Sequence, residues 1–228
     1  MHDLHRYLRQ LRDLYGDAIV LPPRTASDED GSVTGTDGWQ RTRSLEGFRE
    51  RIHTCTSCPL GHTRKSFVFG VGNPNADIVL IGEAPGAEED ARGEPFVGRA
   101  GQLLNDILKA INLTREEVYI CNILKCRPPN NRDPLPTEVE QCEPYLHHQI
   151  ALIKPRIMLA LGRIAAQTLL RTTDSLTRLR EQEHVYQGVP LHVTYHPAAL
   201  LRNPNWKRPT WEDVQRFRAR YDALKKQA

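Results

Sequence analysis

Asp77-Ile78-Val79-Leu80-Ile81-Gly82-Glu83-Ala84-Pro85-Gly86 is a short apolar run that stops at a glycine and opens into a loop. A run this brief, rich in aliphatic side chains and closed by Gly and Pro, predicts a buried strand over 77–81. Three further runs have the same character: Tyr119-Ile120-Cys121-Asn122-Ile123-Leu124, Ile157-Met158-Leu159-Ala160-Leu161 and Leu191-His192-Val193-Thr194-Tyr195. Helical patterns alternate with them. Leu103, Leu104, Ile107, Leu108 and Ile111 share one helical face, Thr137 with Glu140 reads as a capping box, and another helix is expected after Gly162. Strands alternating with helices predict an α/β fold, a three-layer α/β/α sandwich around a mainly parallel four-stranded sheet.

The chain of 228 residues is 39 % hydrophobic and 26 % charged, with a net charge of +3. It can bury one good core, and its mildly basic balance permits a polyanionic partner without demonstrating one. No apolar stretch approaches the roughly 18 residues of a spanning helix, and Met1-His2-Asp3-Leu4-His5-Arg6 carries charge where a secretory signal needs an apolar centre. A cytoplasmic protein with no membrane association is expected. Leu4, Tyr7, Leu8, Leu11 and Leu14 predict an amphipathic helix over about 3–15, and the polar run Pro22–Arg43 reads as a flexible linker. The expected organisation is therefore a tail over 1–43 and a single folded domain over 44–228.

Open parallel sheets place ligand sites at the carboxyl ends of their strands. Glu83 follows the first strand and Asn122 ends the second; Gly162-Arg163 follows the third and His196-Pro197 the fourth. Each alone has an ordinary explanation as a loop or turn residue. Their coincidence at equivalent strand ends predicts that a carboxylate, a carboxamide and an imidazole converge on one site. Five cysteines in a reducing compartment do not make a disulfide framework. Cys55 and Cys58 form a C-x2-C pair, and Cys126 and Cys142 are separated by 15 residues, so four thiols are available for a metal; Cys121 reads as a core residue. Zinc and an iron-sulfur cluster both accept four thiolates, and spacing leaves the two level.

Cys-Thr-Ser-Cys-Pro-Leu at 55–60, Gly-Glu-Ala-Pro-Gly-Ala-Glu-Glu-Asp at 82–90, Pro-Phe-Val-Gly-Arg-Ala-Gly at 95–101, Asn-Ile-Leu-Lys-Cys-Arg-Pro-Pro at 122–129 and the segment from His196-Pro197 to Arg202-Asn203-Pro204 occur in fixed order. In that order they resemble the family 4 uracil-DNA glycosylases, the iron-sulfur branch of the uracil-DNA glycosylase superfamily, from about Cys55 to Tyr221. The resemblance implies a [4Fe-4S] cluster on Cys55, Cys58, Cys126 and Cys142. It also implies a monofunctional hydrolase of base excision repair, acting on uracil-containing DNA, single- or double-stranded, as a monomer. Glu83 and His196 would be catalytic, Glu83 holding or activating water and His196 stabilising the departing uracil. Phe96 would stack on the flipped base and Asn122 would read it, with Gly82, Ala84 and Gly86 around it. Leu200, or its neighbour Leu201, would wedge into the vacated stack, with Arg202 on the DNA.

From Arg202 to Lys226 eight Lys or Arg stand against three acidic residues, with Trp206 and Trp211 interleaved, a composition that fits phosphate contacts or a solvated helix face. Gln10-Leu11-Arg12-Asp13-Leu14-Tyr15 loosely resembles the short motifs with which bacterial repair proteins dock on the replication sliding clamp, so the tail is either a tether or a helix packed on its own domain. Two other classes fit the sequence less well. A non-catalytic iron-sulfur DNA-binding module would have no need of Glu83, Asn122 and His196 together. An electron carrier would hold its cysteines in one compact signature.

Overall fold

The structure, a computed structural model, describes residues 36–227. The tail helix expected over 3–15, the clamp-like motif and the polar run up to Gly35 lie outside the described residues. The strands are β1 (Val71–Gly72), β2 (Ile78–Gly82), β3 (Tyr119–Asn122), β4 (Ile157–Leu161), β5 (His184–Tyr186) and β6 (Val189–Thr194). Helices are α1 (Leu45–Ile52), α2 (Ala87–Arg92), α3 (Arg99–Ala110), α4 (Pro136–Ile153), α5 (Arg163–Leu170), α6 (Leu176–Arg180), α7 (Pro197–Arg202) and α8 (Lys207–Lys226). None of the described helices is long and apolar enough to cross a membrane.

The sheet has six strands in the order β1-β3-β2-β4-β6-β5, which corrects the expected four. The four expected strands form its parallel centre, β3-β2-β4-β6, and the two additions pair antiparallel at the edges. β1 is two residues long and ends in glycine, and β5 carries an exposed valine, so neither presents the apolar run by which a buried strand is recognised.

Alternation along the central strands supplies two cores. Val79, Ile81, Cys121, Met158 and Ala160 pack on one face with Phe48, Leu146, Ile150 and Leu169 from α1, α4 and α5. Ile78, Leu80, Ile120, Ile157 and Leu159 pack on the other with Leu104, Leu108, Val214 and Phe217 from α3 and α8. α4 starts one residue before the expected cap: Pro136 occupies its first turn, and the Glu138 carboxylate, not Glu140, accepts the Leu135 N–H at 2.9 Å. The end of the polar run is packed. Thr36–Arg41 form a 3-10 turn whose Trp39 meets Tyr145 edge-on at 5.1 Å, so packing begins ahead of the boundary expected at Ser44.

Candidate functional site

Register aligns the strand ends. Gly82 pairs with Asn122 across β2 and β3, and Leu161 pairs with Thr194 across β4 and β6. The next residues, Glu83, Gly162 and the pair Tyr195-His196, therefore emerge along one edge of the sheet. A cleft of about 680 Å³ opens there, lined by Glu83, Phe96, Asn122, His196 and Arg202 among others. The carboxylate, carboxamide and imidazole expected from the sequence are brought together. Ala84 and Gly86 also line the cleft, while Gly82 lies beneath it.

Phe96 reaches this cleft through a backbone that few non-glycine residues adopt, with φ at 53°. Several contacts hold it there. Arg115 donates to the carbonyls of Phe96, at 3.1 Å, and Pro95; Glu89 accepts the N–H groups of Val97 and Gly98 at 3.0 and 3.1 Å. The ring lies beside His196, centroids 5.4 Å apart and planes 29° from parallel. Below it, a Cβ on Gly82 would sit 2.3 Å from Asn122 Oδ1 and 2.7 Å from Phe96 Cζ, so the site requires glycine there. Gly82→Ala is expected to displace both groups and lower the kcat/KM of the reaction carried out in this cleft by about 100-fold, the order of loss that a misplacement near 1 Å brings. Thermal unfolding measured alongside should show the fold retained, and near-normal kcat/KM would show that the two groups need no fixed register.

Asn122 is buried, and its Oδ1 has no hydrogen-bond partner among the described residues. Its main chain is tied down from behind. Lys125, fully buried, donates from Nζ to Asn122 O at 2.7 Å and to Gln149 Oε1 at 2.5 Å, and Gln149 Nε2 in turn donates to Phe69 O and Tyr119 Oη. Sequence reasoning gave no role to Lys125, although it lies in the 122–129 motif, and missed Gln149 and Arg115, which act on partners 24 and about 20 positions away and carry no local motif.

Glu83 and His196 are tuned in opposite directions. Burial, reinforced by the Asp133 carboxylate and opposed by Arg163, pushes the Glu83 carboxyl up from its ordinary 4.5 to about 7. Burial, helped by Arg202 and opposed by Glu89, pulls the His196 imidazole down to about 4, so the ring is neutral at physiological pH. His196 is also the N-cap of α7, where its Nδ1 accepts the Ala198 N–H at 3.1 Å. That bond leaves the single ring proton on Nε2. Gly162, with φ at 99°, makes room for it, since a Cβ there would stand 2.8 Å from His196 Cβ.

A profile of the Uracil DNA glycosylase superfamily matches residues 69–215. A Type-4 uracil-DNA glycosylase of Archaeoglobus fulgidus is 45 % identical over 182 residues, covering 76 % of this chain and 92 % of the relative. Those of Sulfurisphaera tokodaii and Thermotoga maritima are 42 % and 41 % identical, over 77 % and 79 % of this chain and 84 % and 96 % of theirs. The chain belongs to the uracil-DNA glycosylase superfamily, on its type-4 branch. A Type-5 uracil-DNA glycosylase of Pyrobaculum aerophilum is more distant, at 32 % over 78 % of this chain and 89 % of the relative.

The two leucines expected to wedge into DNA differ in exposure. Leu200 is 2 % exposed and packed inward, whereas Leu201 is 40 % exposed. His196 caps α7, within which Leu200 faces the protein interior and Leu201 faces solvent. The basic run beyond is divided in its duties. Arg202 lines the cleft, but Arg216 is paired with Asp213, and Arg218 pairs with Asp222 and donates to the Ile111 carbonyl after α3.

The cysteines lie on the face of the sheet that packs against α1, α4 and α5, with Cys126 and Cys142 buried and Cys55 and Cys58 half-buried. Donors point at the sulfurs. Arg64 Nη1 approaches Cys126 Sγ at 3.4 Å, Lys125 N approaches Cys142 Sγ at 3.3 Å, and Tyr145 Oη and Ser57 N approach Cys55 Sγ at 3.2 and 3.5 Å. Cys121 belongs to the strand core on that face.

Proposed function

We propose that the cleft receives a deoxyuridine rotated out of DNA and hydrolyses its N-glycosidic bond, releasing uracil and leaving an abasic site. The observation that carries this reading is the unpartnered Asn122 Oδ1 beside the Phe96 ring. A buried acceptor without a donor costs about 1–3 kcal/mol, and uracil N3–H supplies that donor. Cytosine has no proton on N3 and would set two acceptors against each other. Stacking on Phe96 would return about 1–3 kcal/mol of the cost of unstacking the nucleotide.

As the bond from C1′ to N1 breaks, the sugar gains positive charge and uracil leaves with negative charge on its ring and O2. His196 Nε2–H donates to O2, and because the ring is already neutral no proton need be lost first. Glu83 accepts a proton from the water that adds to C1′, and its charge opposes that of the sugar. Leu201 fills the space left in the stack and Arg202 contacts a phosphate. Cys55, Cys58, Cys126 and Cys142 would hold a [4Fe-4S] cluster, which joins three distant chain segments at one point. The fit is supported by the N–H and O–H donors aimed at sulfur, the surroundings in which such clusters are tuned.

The test is release of free uracil from a single-stranded oligonucleotide with one uracil, against the same strand with cytosine. Uracil release alone is expected; strand-independent silence would overturn the reading. The pH profile refines it. Glu83 works ionised, so kcat/KM should rise with pH through about 7 and then level, with no descending limb from His196, which is already neutral. Asp133→Asn removes a negative neighbour and should move the limb to lower pH, while Arg163→Gln should move it higher. Opposite shifts would separate the limb from Glu83.

A further inference from the structure

Trp206 lines the same cleft and is 37 % exposed. It is not loose. Its ring lies flat on Tyr195, centroids 4.9 Å apart and planes within 12° of parallel. Under Tyr195 stands the Arg180 guanidinium, 4.4 Å from the ring centre. Arg180 is buried and held by two bonds to Asp213, at 2.6 and 2.9 Å, and one to Pro209 O. Thr210 Oγ1 donates to Trp206 O at 2.7 Å. The result is a three-layer stack, cation, phenol and indole, built on the residue that directly precedes His196.

The surroundings say what such a plane is for. Arg202, Lys207 and Arg208 are exposed close by in sequence, and Arg202 lines the cleft with it. A rigid aromatic plane beside cationic side chains is the composition that binds an unpaired nucleotide, the base on the ring and the phosphates on the cations. We propose that Trp206 is a stacking platform for an unpaired base flanking the flipped uridine, and so a subsite for single-stranded DNA. In a duplex the flanking bases remain stacked within the helix and cannot offer a face to the ring. The inference rests on the uracil reading for the direction of the strand, and on the stack itself for the subsite.

The test compares Trp206→Phe, which keeps a π face, with Trp206→Leu, which keeps apolar bulk without one. Affinity is measured for a single strand carrying one 2′-fluoro-2′-deoxyuridine, which resists cleavage, and for the corresponding duplex. The Leu variant should bind the single strand about tenfold more weakly, the Phe variant should recover most of that loss, and the duplex should distinguish neither. Inhibition by free uracil should be the same in all three proteins, showing the base pocket intact. Equal single-strand binding by the Phe and Leu variants would overturn the platform, and so would an equal loss on duplex. An unaltered protein that ignores uracil would instead remove the uracil reading, while the Phe and Leu contrast on any single strand still decides the platform.

Discussion

His196→Ala is expected to slow single-turnover release of uracil by about 100- to 1,000-fold, while affinity for DNA carrying an uncleavable deoxyuridine stays close to that of the unaltered protein. The split follows from timing. A hydrogen bond from Nε2 to O2 is weak while the base is neutral and strengthens as negative charge gathers on it, so its loss falls on the barrier and not on binding. The site is prepared for this role before any base arrives. Burial keeps the ring neutral, the Ala198 N–H occupies Nδ1, and the proton on Nε2 needs no rearrangement. Near-normal single-turnover rates in the variant would move the leaving-group role to another side chain.

The proposed [4Fe-4S] cluster would give a brown protein; Cys142→Ser and Cys126→Ser are expected to lose that chromophore and to lower the melting temperature substantially, whereas Cys121→Ser keeps it. Cys142 lies in α4, Cys126 just beyond β3, and Cys55 and Cys58 in the segment after α1. A group shared among them closes loops whose opening would release chain entropy, and metal affinity becomes folding free energy. Iron content and absorbance near 400 nm, read beside thermal unfolding, check the assignment. A chromophore that survived in Cys142→Ser, or vanished in Cys121→Ser, would reassign the ligands.

The parallel centre of the sheet was legible because β2, β3 and β4 are buried throughout and read as apolar runs, while β6, partly exposed and carrying His192 and Thr194, still alternates Leu191 and Val193 into the core. β4 occupies 157–161 as expected from Ile157-Met158-Leu159-Ala160-Leu161. Strand ends followed directly, and with them the positions of Glu83, Asn122 and His196. What the sequence left open was orientation within a turn of helix. Leu200 and Leu201 are identical side chains in adjacent places, and only the placement of α7 in the fold shows which one faces inward. Long-range supports were equally silent: nothing near Arg115 announces that it grips the Phe96 loop, and nothing near Arg180 announces that it underlies Tyr195. Trp39 sits in a stretch too polar to signal a core, yet one aromatic suffices to pin its end to α4.

Gly82 sets a limit on how this enzyme can be re-engineered. Widening a pocket for a bulkier base is ordinarily done by trimming the side chain beneath it, but under Asn122 and Phe96 the floor already carries no side chain to trim. At this point of the floor a purine-accepting variant gains volume only by trimming Phe96, the ring proposed to stack on the base. Selection for wider substrate range is thus expected to trade binding strength for size from its first step.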